Sequence, residues 1–242
     1  MRRTILTSIA LMLGSLASAQ DQVIISELVD ATLPGGLPKW VELTNCGNTD
    51  VDLSGYSIGN FNNGGTTLGG GASTVLSSVI APGESYVIAY ENGDSPGVGI
   101  FFDTYGFDPD NFDLGAFTNG DDVIALFQGP ATGDGSDATL HDVYGVIGTD
   151  GTGEVWEYTD GYSFRNPGAM PNAVFDASEW TIGGANSLET GDDVEELQLI
   201  LDLTTPGTHD CGTMGEVPAV GTIGMIVTGL VLLVGVASRR RR

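Results

Sequence analysis

Short runs of alternating apolar and polar residues recur every 8–15 residues along this chain, punctuated by Gly, Pro, Asn and Asp. No other feature restricts the possible folds as strongly. The cleanest run is Trp40-Val41-Glu42-Leu43-Thr44. As a strand it places Trp40, Glu42 and Thr44 on one face and Val41 and Leu43 on the other. Further strand material lies at 23–29, 56–58, 85–90, 122–127 and 140–147, with turns at Pro34-Gly35-Gly36, Pro82-Gly83 and Asn119-Gly120. This rhythm predicts an all-β sandwich. The 37 glycines and the abundance of Thr, Val and Asp agree with strands and turns. Trp156, Phe164 and Trp180 are expected to form a lid on its core. The glycine- and asparagine-rich loop at 60–74 has no lysine and no helix after it, which excludes a phosphate cradle.

One late segment departs from the rhythm. Asp192 reads as a helix N-cap with Glu195 three residues on, a capping-box spacing, so a short helix is expected. The acidic first turn suits the helix dipole, although Leu199-Ile200-Leu201 is equally good strand material. Residues 183–216 then read as an acidic tail ending in a polar linker, after a domain spanning 20–182.

Both ends carry address signals. Arg2 and Arg3, the apolar stretch 5–16 and Ala17-Ser18-Ala19 form a signal peptide over 1–19, with cleavage between Ala19 and Gln20. At the other end, 217–238 gives about 33 Å of helix, enough for a hydrocarbon layer of about 30 Å. Arg239, Arg240, Arg241 and Arg242 follow it and hold the C-terminus on the cytoplasmic side. This layout resembles the bacterial C-terminal sorting signals of the PEP-CTERM and IPTL-CTERM type, with Val217, Pro218 and Gly221 in the motif positions. The resemblance implies an exosortase-like processing protease as a partner. It lacks the usual Ser-Glu-Trp and has Gly221-Thr222-Ile223 there.

All 32 acidic residues fall between these ends, against only Lys39 and Arg165, a net charge of −30 for that stretch. Such a field repels phosphate backbones, so direct nucleic-acid binding is not expected. It suits salty surroundings or the collection of divalent cations. Cys46 and Cys211 are an even count in an exported chain, which favours a disulfide over two free thiols. Such a bridge closes about 166 residues and, in the chain-entropy picture, contributes a few kcal/mol. Neither His141 nor His209 has zinc-ligand spacing.

Several ordered motifs resemble the lamin-tail domain, an immunoglobulin-like sandwich of nuclear lamins and of exported bacterial proteins. They begin with Ile24-Ile25-Ser26-Glu27-Leu28, Trp40-Val41-Glu42-Leu43-Thr44-Asn45 and Val51-Asp52-Leu53-Ser54-Gly55-Tyr56-Ser57-Ile58. Ile80-Ala81-Pro82-Gly83-Glu84-Ser85-Tyr86-Val87-Ile88 and Asn119-Gly120-Asp121-Asp122-Val123-Ile124-Ala125-Leu126 follow. His141-Asp142-Val143-Tyr144-Gly145 and Tyr162-Ser163-Phe164-Arg165-Asn166 resemble closing strands of bacterial members. The likeness covers about 24–182, departing at the insertion 64–74 and the tail 183–215. Gly55 and Gly83 are expected where turns need positive φ or close backbone approach.

No residue set reads as a catalytic constellation, and the chain is not expected to be an enzyme. His141 sits in strand-like sequence and reads as a satisfied strand histidine rather than a general base; Ser26 and Ser163 have no partner pattern. Arg165 reads as an ion-pair partner, with an acidic-ligand clamp as the alternative. No cofactor is required. Asp103, Asp108, Asp110 and Asp113 form an oxygen-rich loop around Pro109 that would suit calcium, as would the smaller pair Asp134 and Asp137, although neither has EF-hand spacing. The reading that follows is an exported, surface-displayed, non-catalytic module, held at the membrane by its C-terminal helix or released to the envelope or matrix. Its role would be structural or adhesive, through a protein or polysaccharide ligand. An accessory to extracellular nuclease or phosphoesterase activity, or a calcium-stabilised adhesin, are the alternatives.

Overall fold

The alternation at Trp40 to Thr44 becomes a wall between two apolar clusters in the computed structural model, which describes residues 22–90, 96–112 and 118–212. Strands β1 (Val23–Leu33), β2 (Leu37–Asn45), β7 (Ser85–Tyr90), β10 (Gly161–Arg165) and β11 (Trp180–Ile182) form one antiparallel sheet in the order β11-β10-β1-β2-β7. A second sheet has the order β5-β4-β8-β9, from β4 (Tyr56–Phe61), β5 (Thr74–Val75), β8 (Val123–Gln128) and β9 (Thr139–Tyr144). The short strands β3 (Val51–Asp52) and β6 (Val79–Ile80) pair with each other. The expectation of a β-sandwich is met. Ile25, Leu28, Val41 and Leu43 from one sheet meet Ile58, Phe61, Leu126 and Tyr144 from the other, all fully buried.

A bulge in β1 sets which side chains enter this core. Ile25 pairs with Leu43, and the next paired residue is Glu27, opposite Glu42. Strict alternation from Ile25 would have turned Glu27 into the core. The extra residue, Ser26, shifts the phase so that Leu28 enters instead and Glu27 joins Glu42 on the outer face.

That outer face is covered by a third layer. Helices α1 (Ile100–Tyr105) and α2 (Asp193–Leu203) pack on it, and Phe101, Leu188 and Ile200 are fully buried there with Val29, Trp40 and Val87. Phe101 and Tyr105 both meet Trp40 edge-on, at 6.3 and 6.1 Å between ring centroids. Burying Leu188 and Ile200 contributes about 1.5–3 kcal/mol each.

This layer corrects the expected domain plan, since the segment after 182 is part of the globule and 204–212 is no free linker. Helix α2 resolves the ambiguity at Leu199-Ile200-Leu201 because its N-terminus is capped: Asp192 accepts from the amides of Val194 and Glu195 at 2.9 and 3.2 Å. The capping box closes differently from its expected form. The Asp192 amide donates to Thr190 Oγ1, while Glu196 accepts from Thr32, Thr190 and Gly191. Helix α1 was not foreseen, and neither was β11.

Candidate functional site

The outer face of the five-stranded sheet carries the densest polar arrangement in the fold. Glu27 and Glu42 are cross-strand partners, 2% and 0% exposed, and among the described residues no cation is hydrogen-bonded to either. Ser26 donates to Glu42 at 2.7 Å, and Thr44 bonds to Ser26 and Ser85 at 2.8 Å each. The segment after α2 closes over the pair. Both the amide and the hydroxyl of Thr205 donate to Glu27, and the Gly207 amide donates to Glu42 at 2.7 Å. Burial pushes the Glu27 carboxyl up to about 8, reinforced by the charge of Glu42 and opposed by the Thr205 bonds. Burial raises Glu42 as well, against the bonds from Ser26 and Gly207. Glu27 therefore retains its proton at neutral pH, burial pushes Glu42 in the same direction, and both carboxyls accept hydrogen bonds from the tail. Beside them Trp40 Nε1 donates to Tyr105 Oη, which bonds to Thr204 at 2.8 Å.

Next along the tail, Cys46 and Cys211 form a disulfide with a Cα separation of 5.4 Å. The ligand atoms of Cys46, Cys211 and His209 all lie within 4.8 Å of one another, the one such His/Cys/Asp/Glu group found among the described residues. His209 Nε2 is buried without a hydrogen-bond partner, and burial lowers the ring's pKa.

Among the described residues, the calcium candidates Asp103, Asp108 and Asp110 do not form such a group. Asp103 lies on α1, Asp108 accepts from the Gly97 amide at 2.7 Å, and Asp110 accepts from the Val87 amide at 2.8 Å. Asp113 lies outside the described residues. Asp134 and Asp137 cap their own turn, accepting from Ser136 and Thr132. Short acidic loops such as this fold around backbone amides, which compete for the oxygens a cation would need.

The remaining candidates serve the fold. His141 Nε2 bonds the Val23 carbonyl at 2.9 Å, and its ring meets Tyr56 edge-on. Arg165 is 1% exposed, donates to Asp142, Glu179 and the Met170 carbonyl, and lies over Trp180. It is therefore no clamp for an external ligand. Burial lifts Asp142 to about 6 despite Arg165. Lys39 pairs with Asp30 and donates to the Thr118 carbonyl. Ser163 bonds Tyr144, and Ser26 serves Glu42. Of the expected lid, Trp156 and Trp180 belong to the inter-sheet core, whereas Phe164 stacks on Tyr162 outside it.

An apolar concavity lies open among the loops at 146–155 and 172–177. Val155 and Val174 are 74% and 72% exposed, and with Val146 they line a cleft floored by Trp156 and Phe175 and edged by Glu154 and Asp176. Sequence reasoning missed this cleft because its residues come from three separate turns. It also missed the Glu27/Glu42 pair, for which the signal was an acidic side chain alternating with Trp40 on a strand.

Ala19, Gln20, the motif Val217, Pro218 and Gly221, and the arginines 239–242 lie outside the described residues. Among the described residues no helix is long and apolar enough to cross a membrane. The family model of the Lamin Tail Domain matches residues 17–147, from before β1 through the end of β9. No match was found among curated proteins or solved structures.

Proposed function

Because the chain belongs to the lamin tail domain family, we propose that it is an exported, non-catalytic display module with a structural or adhesive role at the cell surface. The observation that carries this reading is the fate of its reactive groups: His141, Arg165, Asp142 and Ser163 are all engaged in bonds that build the sandwich. Arg165 also borders the cleft beside His209, but its guanidinium is already spent on Asp142, Glu179 and the Met170 carbonyl.

Export and anchoring rest on the terminal segments, with their signal-peptide layout, apolar stretch and closing arginines. An exosortase-like protease would release the domain from the membrane to the envelope or matrix. Partner contact is assigned to the open valine cleft. Its apolar lining between Glu154 and Asp176, in a domain of net charge −30, favours a protein surface that combines apolar side chains with lysine or arginine. Nucleic acid is disfavoured by the same charge.

Cell fractionation with sequencing of both mature termini tests the reading. A chain starting at Gln20 in the membrane or envelope fraction is expected; full-length chain in the cytosol with its C-terminus intact would overturn it. Partner capture from envelope extract should fall at least tenfold in the Val155→Asp/Val174→Asp variant, and unchanged capture removes the cleft from the proposal.

A further inference from the structure

The tail closure contains a ligand set that the disulfide only partly accounts for. We propose that Cys46, His209 and Cys211 form a thiophilic metal site when the disulfide is reduced, two thiolates and an imidazole binding zinc or a similar ion with a fourth position left to water. This goes beyond the display function and does not depend on it.

The geometry supports it at three points. The three ligand atoms already lie within 4.8 Å of one another. In a tetrahedral site with Zn–S of about 2.3 Å and Zn–N of about 2.0 Å, neighbouring ligands lie roughly 3.5–3.8 Å apart. On reduction the sulfurs would part to that range, starting from Cα atoms 5.4 Å apart. Next, a buried imidazole nitrogen without a partner is an uncommon feature in a folded protein and calls for an explanation. A metal ion supplies one. Finally, Cys46 is buried while Cys211 and His209 are half-buried, and a cleft of about 250 Å³ lined by Thr208, His209, Asp210, Glu27 and Arg165 opens beside the imidazole. An ion can therefore enter past Asp210, and the net charge of −30 between the chain's ends favours its approach.

The chemistry balances with a phosphine as reductant. The S–S bond breaks, each sulfur takes one proton, and the phosphine takes oxygen from water to become its oxide. Metal binding then displaces both thiol protons into solvent. The site and the staple are thus alternative states of the same two sulfurs, either of which holds the tail against the β2 end.

The full chain, reduced with a water-soluble phosphine under argon and freed of it, would be titrated with cobalt(II). Saturation at one ion per chain is expected, with thiolate-to-cobalt charge-transfer bands, the intense visible bands of a tetrahedral ion, and release of two protons. Zinc should displace the cobalt and recover part of the melting temperature lost on reduction. His209→Ala, which leaves the disulfide able to form, should weaken binding at least tenfold; Cys46→Ser/Cys211→Ser should abolish the charge-transfer bands. Lack of stoichiometric binding overturns the proposal whether or not the reduced tail stays docked. Equal affinity in His209→Ala removes the imidazole and overturns it too. Binding that survives in the double serine variant assigns the ion to surface carboxylates and does the same.

Discussion

Replacing Glu27 by Gln should change how stability depends on pH more than it changes stability itself. Glu27 is buried against Glu42, and its carboxyl is raised from 4.5 to about 8. Between those values the unfolded chain has released the proton and the folded chain retains it. Stability is therefore full below about pH 4.5 and falls as pH rises toward 8, with little further loss above that. Roughly three and a half pH units at 1.36 kcal/mol each set a ceiling of about 5 kcal/mol, and about 4 kcal/mol is expected between pH 5 and pH 9. Glutamine preserves the shape and accepts the Thr205 amide bond but does not ionise. Urea unfolding at several pH values, in 0.5 M salt to screen the surface carboxylates, would measure the difference. With a slope of about 2 kcal/mol per molar, the midpoints of parent and variant should diverge by about 2 M urea across the range. Parallel curves from pH 5 to 9 would refute the buried, protonated carboxyl. A variant that lost stability equally at every pH would refute it too, since only a packing or hydrogen-bond defect would then have been created.

Three further substitutions test the fold. Gly120→Ala should cost about 3 kcal/mol or more, lowering the melting temperature by about 6–12 °C, because φ is +74° and a Cβ would sit 2.3 Å from the Thr159 amide nitrogen; Gly55→Ala, with nothing within 4 Å, should stay within about 0.5 kcal/mol in the same thermal scan. Ile200→Ala should cost about 2–5 kcal/mol in denaturant titration and speed amide exchange in α2, a result that would not appear if the tail were a free linker. Arg165→Met leaves Asp142 buried without its cation and should cost about 3–5 kcal/mol at pH 8, less at pH 5 where Asp142, at about 6, is protonated; a loss independent of pH would point to packing against Trp180 instead.

Local pattern carried the sheets into view and failed at the third layer. β2 and β7 were legible because their alternation is strict and both faces are occupied by strong strand formers. The paired cysteines followed from count and compartment. Helix α1 was hidden because its six residues hold only one apolar run, Ile100-Phe101-Phe102, and its one aspartate, Asp103, continues into the acidic loop that follows. Helix α2 showed its N-cap, but eleven residues rich in Asp and Glu gave no sign of docking. That sign lay elsewhere, in Trp40, which faces away from the inter-sheet core and demands a cover of its own. Gly55 was expected to need special backbone freedom and does not, while the requirement at Gly120 comes from Tyr158 and Thr159, distant in sequence. Contacts of that range leave no trace in a turn motif.

The cover over Trp40 also explains why two carboxylates can be tolerated in a dry interface. A sandwich edge facing water would keep Glu27 and Glu42 ionised and apart. Once Leu188 and Ile200 bring the tail across, both carboxyls lose water, which disfavours their charged forms unless a cation is at hand. The only two cations of the described residues, Lys39 and Arg165, are each already committed to Asp30 and to Asp142 with Glu179. Burial drives Glu27 to keep its proton, while Thr205 and Gly207 donate to the carboxyl oxygens, oppose that shift and fix the tail in place. The tail is thus held by three unlike forces: apolar contact at α2, hydrogen bonds at the carboxyl pair, and a covalent bond at Cys211, whose loop of about 166 residues contributes about 5 kcal/mol in the chain-entropy model. Raising the pH weakens only the second of these and reduction removes only the third. The closed form should therefore survive either challenge and open when both are applied together.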